Sequence, residues 1–177
     1  MTNQLHIDIG KEIKKIEKSN IANCVVKLDQ ACQGTQNIPL FSTSYKSSMT
    51  RYCNVDILIL KDDKISVIIE IDESNIKPTQ ICGKFLTSAI AKYYIHEPDN
   101  VAVSMSDSVL FIQLVSTDNL KTDLTSKIEQ FRNIEESIQK IIPLSESKIT
   151  KYLLFPVLNS KNVEKFLFNA IMNHLNS

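Results

Sequence analysis

The stretch NVDILIL (residues 54–60), KDDK (61–64) and ISVIIEID (65–72) decides the fold. Two β-branched runs joined by a short polar turn are the pattern of a β-hairpin. In the first run Val55, Ile57 and Ile59 alternate with Asp56, Leu58 and Leu60. In the second, Ile65, Val67, Ile69 and Ile71 alternate with Ser66, Ile68, Glu70 and Asp72. Both faces of each run carry apolar residues, so the hairpin belongs at the centre of a sheet covered on both sides.

Working outward, Pro78 stands where a helix start favours it. The run TQICGKFLTSAIAKYYI behind it sets Ile81, Phe85, Ala89 and Tyr93 on one face, with Gln80, Lys84 and Ser88 on the other. Residues 2–19 read as an amphipathic helix through Leu5, Ile9, Ile13 and Ile16, 23–28 as a short strand, and the polar stretch 33–50 as a loop. Beyond the central helix the pattern predicts strands at 101–104 and 109–114, a long helix at 124–142, a strand at 152–155 and a last helix at 162–175. Strands alternate with helices, so the class is α/β with a central mixed β-sheet flanked by helices.

The chain has 177 residues, enough for one domain, read as 1–177. Apolar content of 43%, with only 3 Gly and 5 Pro, excludes collagen-like and disordered classes. There is no run long enough for a membrane span, and the opening MTNQLHIDIGKEIKK lacks the apolar block of a signal peptide, so a soluble cytoplasmic protein with no membrane partner is expected. Twenty basic and twenty acidic residues cancel, which argues against a constitutive nucleic-acid coat. Residues 76–96, however, hold Lys77, Lys84 and Lys92 without an acid, a local field suited to an anion. Cys24, Cys32, Cys53 and Cys82 show no metal-binding spacing and read as reduced thiols, Cys53 and Cys82 as small hydrophobes beside apolar segments, and His6, His96 and His174 are scattered.

Asp56 interrupts an apolar run, and Glu70 and Asp72, two apart, point to the same side of theirs. Converging carboxylates are costly to bury without positive charge, and a divalent cation is the usual compensation. Mg²⁺ (or Mn²⁺) suits one to three carboxylates while keeping waters for a phosphate-bearing substrate, which points to metal-assisted phosphodiester hydrolysis. The plain alternative has Asp56 capping a strand edge and Glu70, Asp72 and Glu73 solvated where the strand runs out. Glu70 within VIIEID contradicts local propensity, the kind of conflict that marks functional positions. Glycoside hydrolysis also uses paired carboxylates, but the chain has no Trp and 7% aromatics for a sugar cleft.

Asp56, the hairpin, Glu70-Ile71-Asp72 and the basic helix together resemble the core of the PD-(D/E)XK nuclease superfamily, whose fold is restriction-endonuclease-like. The resemblance covers about residues 2–114. It implies Asp56 and Glu70 as ligands of Mg²⁺. The position two beyond the second acid, usually lysine in that family, is Asp72 here, a third ligand or a base if no lysine reaches the site. A lysine moved to the following helix is the other solution: Lys84 is the candidate and Lys77 its rival. Many members also use an acid on the first helix, where Glu12 lies nearer the apolar stripe than Glu17.

The resemblance implies a Mg²⁺-dependent DNA endonuclease working as a homodimer, in the manner of a small type II restriction enzyme. The stretch FSTSYKSSMTRY (41–52) carries Lys46 and Arg51 among tyrosines and hydroxyls with no acid, a composition for phosphate and base-edge contact. Lys77 and Gln80, at the start of the basic helix, join them as nucleic-acid contacts. Because Asp72 departs from the family pattern, the alternative is a degenerate nuclease fold that binds nucleic acid or a protein partner without turnover.

Overall fold

The computed structural model describes residues 4–19, 21–74, 76–96, 100–118, 123–157 and 160–177. In the KDDK turn, Asp62 and Asp63 both take positive φ, 51° and 58°. This is the backbone twist that joins two strands in a tight hairpin, and aspartate tolerates it better than most residues. The strands so joined, β4 (Ile57–Lys61) and β5 (Lys64–Asp72), pair antiparallel from Ile57 with Ile69 to Lys61 with Lys64. β1 (Cys24–Leu28) adds antiparallel to the outer side of β4. On the other side of β5 runs β7 (Ala102–Ser116), parallel to it, and β8 (Ile149–Val157) is parallel to β7 in turn.

Parallel neighbours need crossovers. From β5 the chain returns through α2 (Pro78–Ile90) and β6 (Tyr93–Ile95), and from β7 through α3 (Leu124–Ile141). The first residues of β7 pair with β6, which pairs with β2 (Ile38–Phe41), and β2 pairs with β3 (Arg51–Val55). The described strands form one mixed sheet in the order β1-β4-β5-β7-β6-β2-β3, with β8 beside β7.

Both faces are covered, as the central hairpin requires. Against α2 and α3 pack Leu58, Ile68, Phe85, Phe111, Phe131 and Tyr152. Against α1 (Gln4–Lys14) and α4 (Ser160–Leu175) pack Ile57, Ile59, Val67, Ile69, Ile9, Ile13 and Ile171. Burying each such side chain is worth about 1.5–3 kcal/mol. The buried His174 pins α4 to β5 through Nε2 and the Ser66 carbonyl, 3.1 Å apart.

Several expectations need correction. Asp56 is not inside a strand but forms the bend where β3 ends and β4 begins, so Val55 joins the α2/α3 core while Ile57 faces α1 and α4. A bulge at Ile59/Leu60 likewise sends Ile65 to the α2/α3 side, opposite Val67. Residues 33–50 are not all loop: Ile38–Phe41 is the fully buried β2, and residues 42–50 connect it to β3, which begins at Arg51. The central helix stops at Ile90, so Tyr93 lies in β6, and Ser88 is buried with the apolar face. The two strands at 101–104 and 109–114 are one, β7, with a register shift between them. The first helix ends at Lys14 in a 3₁₀ turn, Lys15–Lys18, and its expected start at residue 2 lies outside the described residues. Cys82 is exposed and Cys53 only half-buried.

Candidate active site

The β4–β5 ladder ends at Ile57 and Ile69, which leaves the next inward N–H on β5, that of Ile71, without a strand partner. A buried amide must find an acceptor. The Asp56 carboxylate supplies it, Oδ2 accepting from Ile71 N at 2.6 Å, while the Asp56 carbonyl accepts from Asp29 N at 2.8 Å. The bend at Asp56 is thereby fixed from both sides. Asp56 does cap a strand edge, as the plain alternative had it, but Glu70 and Asp72 are not solvated: they are 3% and 9% exposed.

Both acids face α2, where Lys84 meets them. Its Nζ donates to Glu70 Oε2 at 3.1 Å and to Asp72 Oδ1 at 2.7 Å. The apolar stripe of α2 docks on the sheet through Ile81 and Phe85, which brings Lys84 to the end of β5. Of the two lysines considered, Lys84 is the one brought to the acids. Lys77 caps α2, its backbone N donating to Gln80 Oε1 at 2.9 Å, so Lys77 and Gln80 stand together at the helix start.

Lysine geometry and burial set the electrostatics. Burial pushes the Glu70 carboxyl up to about 8, against the pull of Lys84, with Asp56 and Asp72 adding to the rise. Asp56 is also raised, by burial first, with the Ile71 amide, His6 and Lys84 opposing. For Lys84 burial disfavours the charge, but Glu70 and Asp72 outweigh it and raise the ammonium above the usual lysine range. Asp72 Oδ2 is buried with no hydrogen-bond partner among the described residues.

Two groups were not anticipated. His6, on α1, donates from its backbone N (3.0 Å) and from ring Nδ1 (2.7 Å) to Glu73 Oε1, and its Nε2 lies 3.8 Å from Asp56 Oδ2. Glu12, the expected first-helix acid, instead pairs with Lys15 on the adjoining turn. Gln113 on β7 is in register with Glu70 on β5. It is fully buried, its Oε1 accepting from Tyr152 Oη at 2.6 Å, while its Nε2 finds no partner among the described residues. The signal for Gln113 was present: a polar residue in VLFIQLV is the same conflict as Glu70 in VIIEID. No local signal marks His6.

Lys46 and Arg51 stand apart from this group. Both are exposed on the β2–β3 hairpin, and Arg51 Nη2 donates to Asn54 Oδ1 at 2.5 Å on its own strand. A cavity of about 640 Å³ between α2 and α3, lined by Cys82, Ile134 and Ile138 among others, contains none of the acids.

The fit of a cation follows from the donors. The expected cluster of Asp56, Glu70 and Asp72 as three ligands is not formed, because Lys84 engages Glu70 and Asp72; among the described residues no three His, Cys, Asp or Glu side chains are grouped to hold a metal by themselves. Mg²⁺, however, is usually held by one or two carboxylates and completes its shell with water and substrate phosphate. Among the described residues Lys84 engages Glu70 and Asp72, His6 lies against Glu73 and Asp56, and Asp72 Oδ2 is a buried acceptor without a hydrogen bond. Hard carboxylate oxygens, one of them a buried acceptor left over, are the donor type such a cation takes, and Asp56 and Glu70 are the side chains that would hold it.

Compared with known proteins, the chain matches no family model, no curated protein and no solved structure.

Proposed function

We propose that the chain is a Mg²⁺-dependent DNA endonuclease of restriction-endonuclease-like fold, acting as a homodimer so that two sites cut two strands. The observation that carries this reading is the convergence of Lys84 from α2 on Glu70 and Asp72 of β5, beside Asp56 at its strand break. It supports a site that combines acceptor oxygens for a cation with an ammonium for a phosphate.

When bound, the cation supplies a Lewis acid for the scissile phosphate and a water of lowered pKa. Asp56 and Glu70 would hold it. Asp56 is kept in position by the Ile71 amide, and Glu70, whose carboxyl burial raises to about 8, would have to be ionised to serve as a ligand. Lys84, held between Glu70 and Asp72, would supply an ammonium for the charge that develops on the phosphate oxygens. His6 and Glu73 steady the outer side of Asp56.

A second reading has its own support. Lys84 already pairs with both Glu70 and Asp72, which lets the fold stand without metal, as a binding subunit without turnover would require. Cleavage of plasmid in Mg²⁺ or Mn²⁺ by wild type and Asp56→Ala, alongside their DNA affinities, separates the two. An enzyme loses cleavage and keeps affinity on that change; a binding subunit cleaves in neither form.

A further inference from the structure

A separate cleft of about 530 Å³ opens between α1, β1 and the end of β6. Lys11 and Lys14 reach it from α1 and Lys27 from β1, Thr35 and Gln36 also line it, and among the described residues no aspartate or glutamate does. In a chain whose charges cancel, that concentration is a departure. Lys14 is engaged by Glu17 at 2.9 Å and by the Val26 carbonyl. Lys11 and Lys27 are engaged by no carboxylate among the described residues, so their charges are available to a ligand.

The wall of the cleft is built to close tolerances. Gly34 N donates to the Asp29 carbonyl at 2.6 Å, and Asp29 Oδ1 accepts from Cys32 N at 2.9 Å. A Cβ on Gly34 would fall 1.7 Å from the Leu28 carbonyl oxygen, and one on Gly10 would fall 2.6 Å from that of Cys32. Two of the chain's three glycines are thus required for α1 and the 29–34 turn to meet here. The same turn donates from Asp29 N to the Asp56 carbonyl at 2.8 Å, which ties the 29–34 turn of the cleft to the bend at the acid site.

We propose that this cleft binds the phosphates of the nucleic-acid strand flanking the bond held at the acids, with Lys11 and Lys27 as the charged contacts and Thr35 and Gln36 as hydrogen-bonding ones. It rests on the nucleic-acid reading above and extends it to a defined subsite. The volume is that of a mononucleotide-sized ligand, and the sign and hydrogen-bonding groups are those of phosphate recognition. A free nucleotide presents the same phosphate chemistry, and the test distinguishes it from a strand.

The experiment is fluorescence anisotropy of a labelled DNA duplex in EDTA, where a metal-dependent enzyme cannot cut. Wild type is compared with Lys11→Glu/Lys27→Glu and with Lys140→Glu/Lys165→Glu, the same charge change at exposed sites on α3 and α4. The cleft variant should bind at least tenfold more weakly, and the slope of log affinity against log salt should fall by about 2, since each lost phosphate contact removes about one. The control should keep both. Lys11→Gln/Lys27→Gln, read the same way, covers any folding defect of the charge reversal.

Equal affinity and slope in cleft variant and control would overturn the proposal, as would no binding by wild type. Binding of a nucleoside monophosphate that needs Lys11 and Lys27, without duplex binding, would overturn the strand assignment. If plasmid stays uncut in Mg²⁺ while the cleft variant still loses duplex binding, the cleft stands and the nuclease reading falls. If plasmid is cut and the cleft variant binds like the control, the reverse holds.

Discussion

The ammonium of Lys84 lies 2.7 Å from Asp72 Oδ1, joining the middle of α2 to the end of the central strand. Asp72 is 9% exposed and Glu70, on the same lysine, 3%, so one cation compensates two buried carboxylates. Removing one partner of a buried pair costs about 3–5 kcal/mol, and solvent access to Lys84 reduces that figure. Lys84→Met should therefore destabilise the fold by about 2 kcal/mol at pH 8 in urea unfolding, and less at pH 5, where Glu70 holds its proton. An unchanged midpoint at pH 8 would mean the ion pairs carry no weight.

Glu70 gives the pH dependence its sign. Its carboxyl titrates near 8 in the fold, because of burial, against the ordinary 4.5. Between those values the folded state holds a proton that the unfolded chain has released, so stability falls as pH rises. The contribution is fully present below about 4.5 and lost as pH passes through about 8. In metal-free buffer, wild type should lose melting temperature from pH 5 to pH 8.5, and Glu70→Gln, which has no proton to lose at this position, should show a flatter profile. Parallel profiles would remove Glu70 as the source.

A cation held by Asp56 and Glu70 would compete with that proton. Mn²⁺ should raise the melting temperature, more at pH 8 than at pH 6, by mass action on the folded state. Asp56→Asn should abolish the rise. A rise that survives Asp56→Asn would locate the metal elsewhere.

On α1, His6 and Glu12 make opposite predictions. His6 bonds Glu73 twice and stands beside Asp56, whereas Glu12 is one half of a surface pair with Lys15. Hydrogen bonds to a charged group contribute about 1.5–3 kcal/mol and exposed pairs about 0–1. His6→Ala should cost about 2 kcal/mol and lower any cleavage rate, while Glu12→Ala should leave stability within about 0.5 kcal/mol. A Glu12→Ala variant that folds normally but loses activity would reinstate the acid over the histidine.

Much of this arrangement can be read from particular residues. The β4–β5 hairpin is written in its β-branched runs and in KDDK, and Pro78 marks the helix that carries Lys84. Glu70 and Asp72 share a face because a strand repeats every two residues. What escapes sequence reading depends on partners distant in the chain. Ile38–Phe41 is four residues in a polar stretch, and becomes a strand only because β3 and β6 pair with it on either side. Asp56 breaks its strand because the Ile71 amide needs an acceptor, a demand that arises fifteen residues later. His6 reaches the site through the docking of α1 on the α4 side of the sheet, and nothing within residues 2–19 announces it.

The most direct test of the site as a catalytic centre is cleavage of supercoiled plasmid in Mg²⁺ by wild type and by Glu70→Gln, which keeps the shape of the side chain and relieves a buried carboxyl. Wild type should cut in a Mg²⁺-dependent way, and a Glu70→Gln protein that melts at the same temperature or higher should not cut at all. Equal cutting by the two proteins would contradict this, and so would wild type that leaves plasmid intact across many DNA sequences with either Mg²⁺ or Mn²⁺.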